Sequence, residues 1–139
     1  MVIIKKATRE LLNSHYLKIF LFDPVIIEAL LDKQLEGDII NCIVENNNAV
    51  GYCIYTKNDD NNQLIIGINQ EFTRKGYGFS LAKQTIEEAF KVSKVNVIRI
   101  KTLIERPSNK LAYKLGFVET KRDAKEIFYE LKMKEFSLN

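Results

Sequence analysis

The stretch NQEFTRKGYGFSLAKQTIEEAF, residues 69–90, puts two glycines one residue apart behind an Arg-Lys pair. From Phe79 onward, Ala82, Ile86, Ala89 and Phe90 recur with the period of an α-helix, while Lys83, Gln84, Glu87 and Lys91 occupy the other face. The run before it, QLIIGI (63–68), has the β-branched content of a strand. Strand, glycine loop and helix in that order form a place where free backbone amides and the positive end of a helix dipole can face an anion. Gly76 and Gly78 let the chain approach phosphate oxygens without a Cβ in the way, and Arg74 and Lys75 add charge. Taken alone, G-x-G after a strand reads equally as a plain helix start. Two commoner nucleotide motifs are ruled out: G-x-x-x-x-G-K-[ST] is absent, and Leu81 stands where G-x-G-x-x-G needs its third glycine.

Working outward, VIIKKA (2–7) reads as a first strand, and Thr8 can cap a helix over Arg9 to about Phe22 with Leu12, Tyr16 and Ile19 on one face. A second helix starts at Asp23 as N-cap with Pro24 in the first position, and stops at Gly37. Ile27, Leu30, Leu31 and Leu35 form its apolar stripe. DIINCIVENNNAVGYCIYTK (38–57) is an antiparallel hairpin about an Asn-rich turn, and NDDNNQ (58–63) is a second turn. Gly67 inside the next strand signals a bulge or a close approach by another backbone. VNVIRIKT (95–102) reads as a buried strand. RPSNKLAYKLG (106–116) is a short helix begun near Pro107 or Ser108 and stopped by Gly116, and FVETKR with EIFYELKM closes the chain as a hairpin. The order is strand, two helices, three strands, helix, strand, helix, two strands, an α/β layout with one mixed sheet in a single domain over 1–139.

Composition bounds the chemistry. At 46% hydrophobic and 28% charged residues the chain can bury a core. A net charge of +3 with dispersed lysines demands neither nucleic acid nor an anionic membrane. No apolar run approaches a bilayer span, and the first residues lack a signal-peptide segment, so a cytoplasmic protein is expected. One histidine, His15, and two cysteines give no metal-ligand spacing. With Asn47 and Asn48 at the centre of a two-residue turn, Cys42 and Cys53 sit directly opposite each other, and both are expected as thiols.

INQEFTRKGYGFSLAKQTIEEAF and, some thirty residues later, ERPSNKLAYKLGF together resemble two motifs of the GNAT superfamily of acetyl-CoA-dependent N-acetyltransferases, in the order the family has them. The first resembles the pyrophosphate motif [QR]-x-x-G-x-[GA]. The second resembles N-x-x-[AS] through K-x-G-F, in the version typical of the branch that acetylates ribosomal-protein amino termini. The resemblance implies a mostly antiparallel sheet, splayed between its fourth and fifth strands and flanked by helices. It further implies acetyl-CoA as cosubstrate without a metal, and an amine of a small molecule or protein as acceptor; a homodimer is left open. By the same resemblance, the backbone at Ile66 and Ile68 pairs with the pantetheine arm. The loop of Thr73, Arg74, Lys75, Gly76, Tyr77, Gly78 and Phe79 holds the pyrophosphate, and Ser108 lines the far side of the thioester.

Three positions depart from the family pattern. Thr73 stands for the usual Gln or Arg, and Glu105 for the usual Asn. Tyr113 resembles the tyrosine that protonates the departing thiolate and is a candidate catalytic acid, but it lies one residue late, Ala112 filling that slot, and its other reading is a surface or packing residue. Glu105 is read either as the general base or as a structural substitute for the Asn. Glu71 reads as a solvated loop acid. Thr73, the displaced tyrosine and the lack of a carboxylate in the strand LIIGI keep a second reading open, a non-catalytic domain that binds coenzyme A or a protein partner.

Overall fold

The computed structural model describes residues 1–57 and 62–136. Strand β1 (Val2–Lys6) leads into helix α1 (Arg9–Leu12), a 3-10 helix (His15–Phe20) and helix α2 (Pro24–Leu35). Strands β2 (Ile39–Glu45), β3 (Asn48–Thr56) and β4 (Gln63–Ile68) follow, then helix α3 (Tyr77–Val92), strand β5 (Val97–Leu103), helix α4 (Pro107–Lys114) and strands β6 (Val118–Arg122) and β7 (Glu126–Lys132). The seven strands form one mostly antiparallel sheet in the order β1-β2-β3-β4-β5-β7-β6, with helices on its faces.

Among the described residues one strand pairing is parallel, and it is the feature that shapes the site. β4 and β5 meet only at Gln63 and Arg99, supported by the Arg99 amide on the Asn62 carbonyl at 2.7 Å. Beyond that pair the two strands part, and the sheet carries the expected splay. α3 packs on one face through Leu81, Ala82, Ile86 and Ala89, all fully buried. The other face, over β2 and β3, is covered by Leu12, Leu17 and Ile27 from the amino-terminal helices.

Helix α2 has the expected punctuation. Asp23 Oδ1 accepts from the Ile26 amide at 2.8 Å, Pro24 opens the helix and Gly37 leaves it at φ +115°. Its buried stripe is shorter than expected, because Leu35 lies exposed. The first helix is corrected more substantially: it ends at Leu12, and Ser14 starts a separate 3-10 turn. Ser14 Oγ accepts from the Tyr16 amide at 3.2 Å and donates to the Ala49 carbonyl at 2.7 Å, which fixes the break to β3. The phase shift buries Leu17 and leaves Ile19 exposed.

The cysteine pairing is also corrected. The hairpin turns at Asn46 and Asn47, with φ of +50° and +69°, and a bulge after Ile43 shifts the register by one. Cys42 therefore opposes Tyr52, and Cys53 opposes Asn41. One residue of register means opposite faces: Cys42 packs under the amino-terminal helices and Cys53 under α3. Both thiols are free, and burial pushes each up to about 12. Of the turn expected over 58–63, residues 58–61 lie outside the described residues.

Candidate functional site

The splay opens a cleft of about 520 Å³ between the edge of β4, the glycine loop and the first turns of α4. Which backbone groups of β4 face it follows from its two ends. The Asn62 carbonyl points to β5, where it accepts from Arg99, and the Asn69 amide points to β3, where it donates to the Val50 carbonyl at 2.8 Å. Backbone groups alternate along a strand, so the amides and carbonyls of Ile66 and Ile68, beyond the Gln63–Arg99 pair, point into the splay. Gly67 is not a bulge, as its unbroken pairing with Tyr52 shows. A Cβ there would lie 2.5 Å from the Tyr52 ring and 2.8 Å from the Phe20 ring, so the close approach comes from aromatic side chains rather than from another backbone.

The loop is built in three steps. Asn69 anchors its start, accepting from the Glu71 amide and donating to the Tyr16 carbonyl, each at 2.9 Å. Thr73 Oγ1 donates back to the Gln70 carbonyl at 3.0 Å. Arg74 and Gly76 then take left-handed conformations, φ +66° and +78°. Gly76 is the N-cap of α3 and has no side chain to cap it, so the first-turn amides of Tyr77, Gly78 and Phe79 have no partner within the helix. Phe79, expected on the buried stripe, instead lines the cleft. Arg74 lines it too, joined by Arg106, Lys110 and Lys114 at four-residue intervals along α4. Among the described residues no Asp, Glu, His or Cys lines this cleft.

Lys75 departs from its expected role. Its Nζ lies 3.6 Å from Glu45 and over the rings of Phe72 and Tyr77, outside the cleft walls. Glu45, with a side chain only 19% exposed, also accepts from the Tyr77 hydroxyl at 2.5 Å. That bond, with a smaller contribution from Lys75, holds the Glu45 carboxyl below its usual range. No local sequence signal joins Glu45 to Tyr77; the pairing exists because the β2–β3 hairpin passes the start of α3.

The second motif is divided between wall and support. Ser108 lines the cleft, and among the described residues its hydroxyl has no hydrogen-bond partner. Tyr113 is corrected: it is 80% exposed and lines no part of the cleft, because Ala112 takes the buried side of α4 and one helical step turns the next residue outward. Glu105 is exposed at φ +66° and lines an adjoining depression that shares Arg74, Arg106, Pro107 and Lys110 with the cleft. The structural hydrogen bonding considered for Glu105 falls to Asn109. Its Oδ1 accepts from Thr102 and Tyr129, and its Nδ2 donates to the carbonyls of Leu103 and Arg106. His15 begins the 3-10 helix, edge-on to Tyr16. Among the described residues no group of three His, Cys, Asp or Glu is placed to hold a metal ion, and no helix is long and apolar enough to cross a membrane.

Residues 5–117 match the sequence profile described as the Acetyltransferase (GNAT) family. No curated protein sequence matches significantly. Among solved structures, yncA of Salmonella typhimurium, determined with its cofactor acetyl-CoA, superposes with a TM-score of 0.81 at 17% identity over 98% of this chain and 96% of its own. The paia N-acetyltransferase of Thermoplasma acidophilum, in complex with coenzyme A, gives 0.73 at 16% over 95% and 99%. The ribosomal-protein-S18-alanine N-acetyltransferase of Escherichia coli gives 0.70 at 18% over 96% and 94%. At these identities the likeness is one of fold.

Proposed function

The chain belongs to the acetyltransferase (GNAT) family, and we propose on that premise that it moves an acetyl group from acetyl-CoA to a primary amine of a small molecule or protein. The observation that carries this reading is the cleft itself, in which the unpaired edge of β4 runs up to a cationic loop at a helix start. An extended pantetheine arm fits such an edge as an added strand, held by the backbone at Ile66 and Ile68. The amides of Tyr77, Gly78 and Phe79, with Arg74, suit the pyrophosphate. Thr73 contributes through its place in the loop, its hydroxyl being committed to Gln70. Lys75 serves by holding Glu45 and Tyr77 rather than by touching phosphate.

Acetyl-CoA supplies the acetyl group as a thioester; the amine nitrogen bonds to its carbonyl carbon and the C–S bond breaks. The Ile68 amide is placed to donate to the carbonyl oxygen as negative charge develops there. Ser108, whose hydroxyl is otherwise unpartnered, is the donor on the far side for the departing sulfur. Among the described residues no carboxylate or imidazole stands on the cleft walls, and the amine's proton is taken to leave to water.

A second reading, a domain that binds coenzyme A without turnover, draws on that same lack of an acid and on the outward Tyr113. Two measurements separate the two. Thermal melting with millimolar acetyl-CoA tests the cleft, and free-thiol release against a panel of amines and peptides tests transfer. Stabilisation with no thiol release from any acceptor favours the binding domain, and an unmoved melting curve removes both.

A further inference from the structure

Behind the cleft, at the apex where β4 and β5 part, lies a smaller pocket of about 120 Å³. Ile66, Ser108 and Leu111 line both spaces, so the pocket opens from the cleft beside Ser108, the residue assigned to the departing sulfur. Its walls are otherwise mainly hydrocarbon, from Leu64, Ala82, Ile100 and Leu115. Two polar side chains at its margin are engaged elsewhere. The Thr102 hydroxyl donates to Asn109, and the Lys101 ammonium lies 3.6 Å from Glu126. The polar groups that remain are the Ser108 hydroxyl and the β4 backbone at Ile66, both at the mouth shared with the cleft, where the bound thioester would engage them. The space exceeds what one methyl group fills, and it holds no free charge for an acidic acyl chain.

We propose that this pocket receives the acyl chain and that the protein accepts unbranched three- and four-carbon acyl groups from coenzyme A in preference to acetyl. The proposal rests on the reading of the cleft as a coenzyme A thioester site. The chemistry is unchanged: the amine nitrogen bonds to the acyl carbonyl carbon, the C–S bond breaks, the amine loses a proton to water and the thiolate leaves to become coenzyme A thiol. Each additional buried methylene is worth about a fourfold gain in affinity. Butyryl-CoA should therefore bind roughly fifteenfold tighter than acetyl-CoA, and hexanoyl-CoA, too long for the pocket, should lose the gain.

The test needs no acceptor. Dissociation constants of the intact protein are measured by titration calorimetry for coenzyme A and its acetyl, propionyl, butyryl and hexanoyl thioesters. The expected result is affinity rising from acetyl through butyryl and falling at hexanoyl. Ala82→Val, which adds bulk to the pocket wall, should narrow the interval between butyryl and acetyl. The wild-type series decides the matter even where that variant folds poorly. Affinity flat or falling from acetyl onward, with coenzyme A still bound, overturns the acyl pocket and leaves the cleft reading intact. Failure to bind any member of the series overturns both.

Discussion

The Tyr129 hydroxyl donates to Asn109 Oδ1 at 2.8 Å, and through it strand β7 supports the first turn of α4. The same oxygen accepts from buried Thr102, and Asn109 Nδ2 reaches the Leu103 and Arg106 carbonyls at 2.9 and 3.1 Å. One side chain thus ties the end of β5 to the helix that forms the far wall of the cleft. Asn109→Ala would strip two buried hydroxyls of their acceptor, and a buried group left unsatisfied costs about 1–3 kcal/mol. A loss of about 2 kcal/mol is expected, a fall in Tm of roughly 5–10 °C for a chain of this size. Thermal melting checks it, and an unchanged Tm would mean that water replaces the amide.

Glu45 fastens the other wall. The hydrogen bond from Tyr77, and secondarily the charge of Lys75, lower its folded-state pKa. A lowered carboxyl pKa stabilises the fold above the unfolded value of about 4.3, and that contribution is lost as pH falls through the folded value. Wild type should therefore exceed Glu45→Gln in stability at pH 7, and the gap should close at an acidic pH below the folded-state value, under the usual carboxylate range. Denaturant titrations at both pH values measure the difference, and a gap independent of pH would remove the carboxylate's charge from the account.

What the sequence disclosed was whatever neighbours along the chain decide. Asp23, Pro24 and Gly37 bound α2 by local chemistry, and Gly76 and Gly78 mark the start of α3 because no Cβ can intrude there. The features that stayed hidden depend on distant partners. Ser14 breaks the first helix to reach Ala49, 35 residues away, and Lys75 leaves the cleft for Glu45. The bulge after Ile43 reversed the expected facing of the cysteines, because a one-residue slip changes the face of every side chain beyond it. Glu105 and Asn109 show the limit of motif alignment: the hydrogen bonding expected in one slot is made one helical turn later.

Gly76 allows charge to be separated from shape. Its φ of +78° is one that Asn and Asp tolerate better than other side chains, and a Cβ built there meets nothing within 4 Å. Gly76→Asn and Gly76→Asp should therefore fold with similar stability. Acetyl-CoA at 100 times its dissociation constant adds about 2.7 kcal/mol to wild type. The Asn variant should keep much of this and the Asp variant should lose it, since a carboxylate then stands among the phosphate oxygens. Melting curves with and without acetyl-CoA decide, and equal protection of both variants would place the phosphates elsewhere.

Glu105 gives the sharpest test of how the amine loses its proton. A positioned base contributes about 10² to 10⁴ in rate, and glutamine keeps its reach while refusing the proton. Glu105 is exposed and walls the depression beside the cleft with Arg122 and Tyr129. Glu105→Gln is accordingly expected to keep kcat within about threefold of wild type, with acetyl-CoA affinity unchanged. In both proteins kcat/KM should then rise with pH until the free amine's own pKa is reached, so the position of that limb follows the acceptor and not the enzyme. A hundredfold fall in kcat together with a displaced acidic limb in the variant would restore Glu105 as the base, and would require it to reach the amine from the adjoining depression.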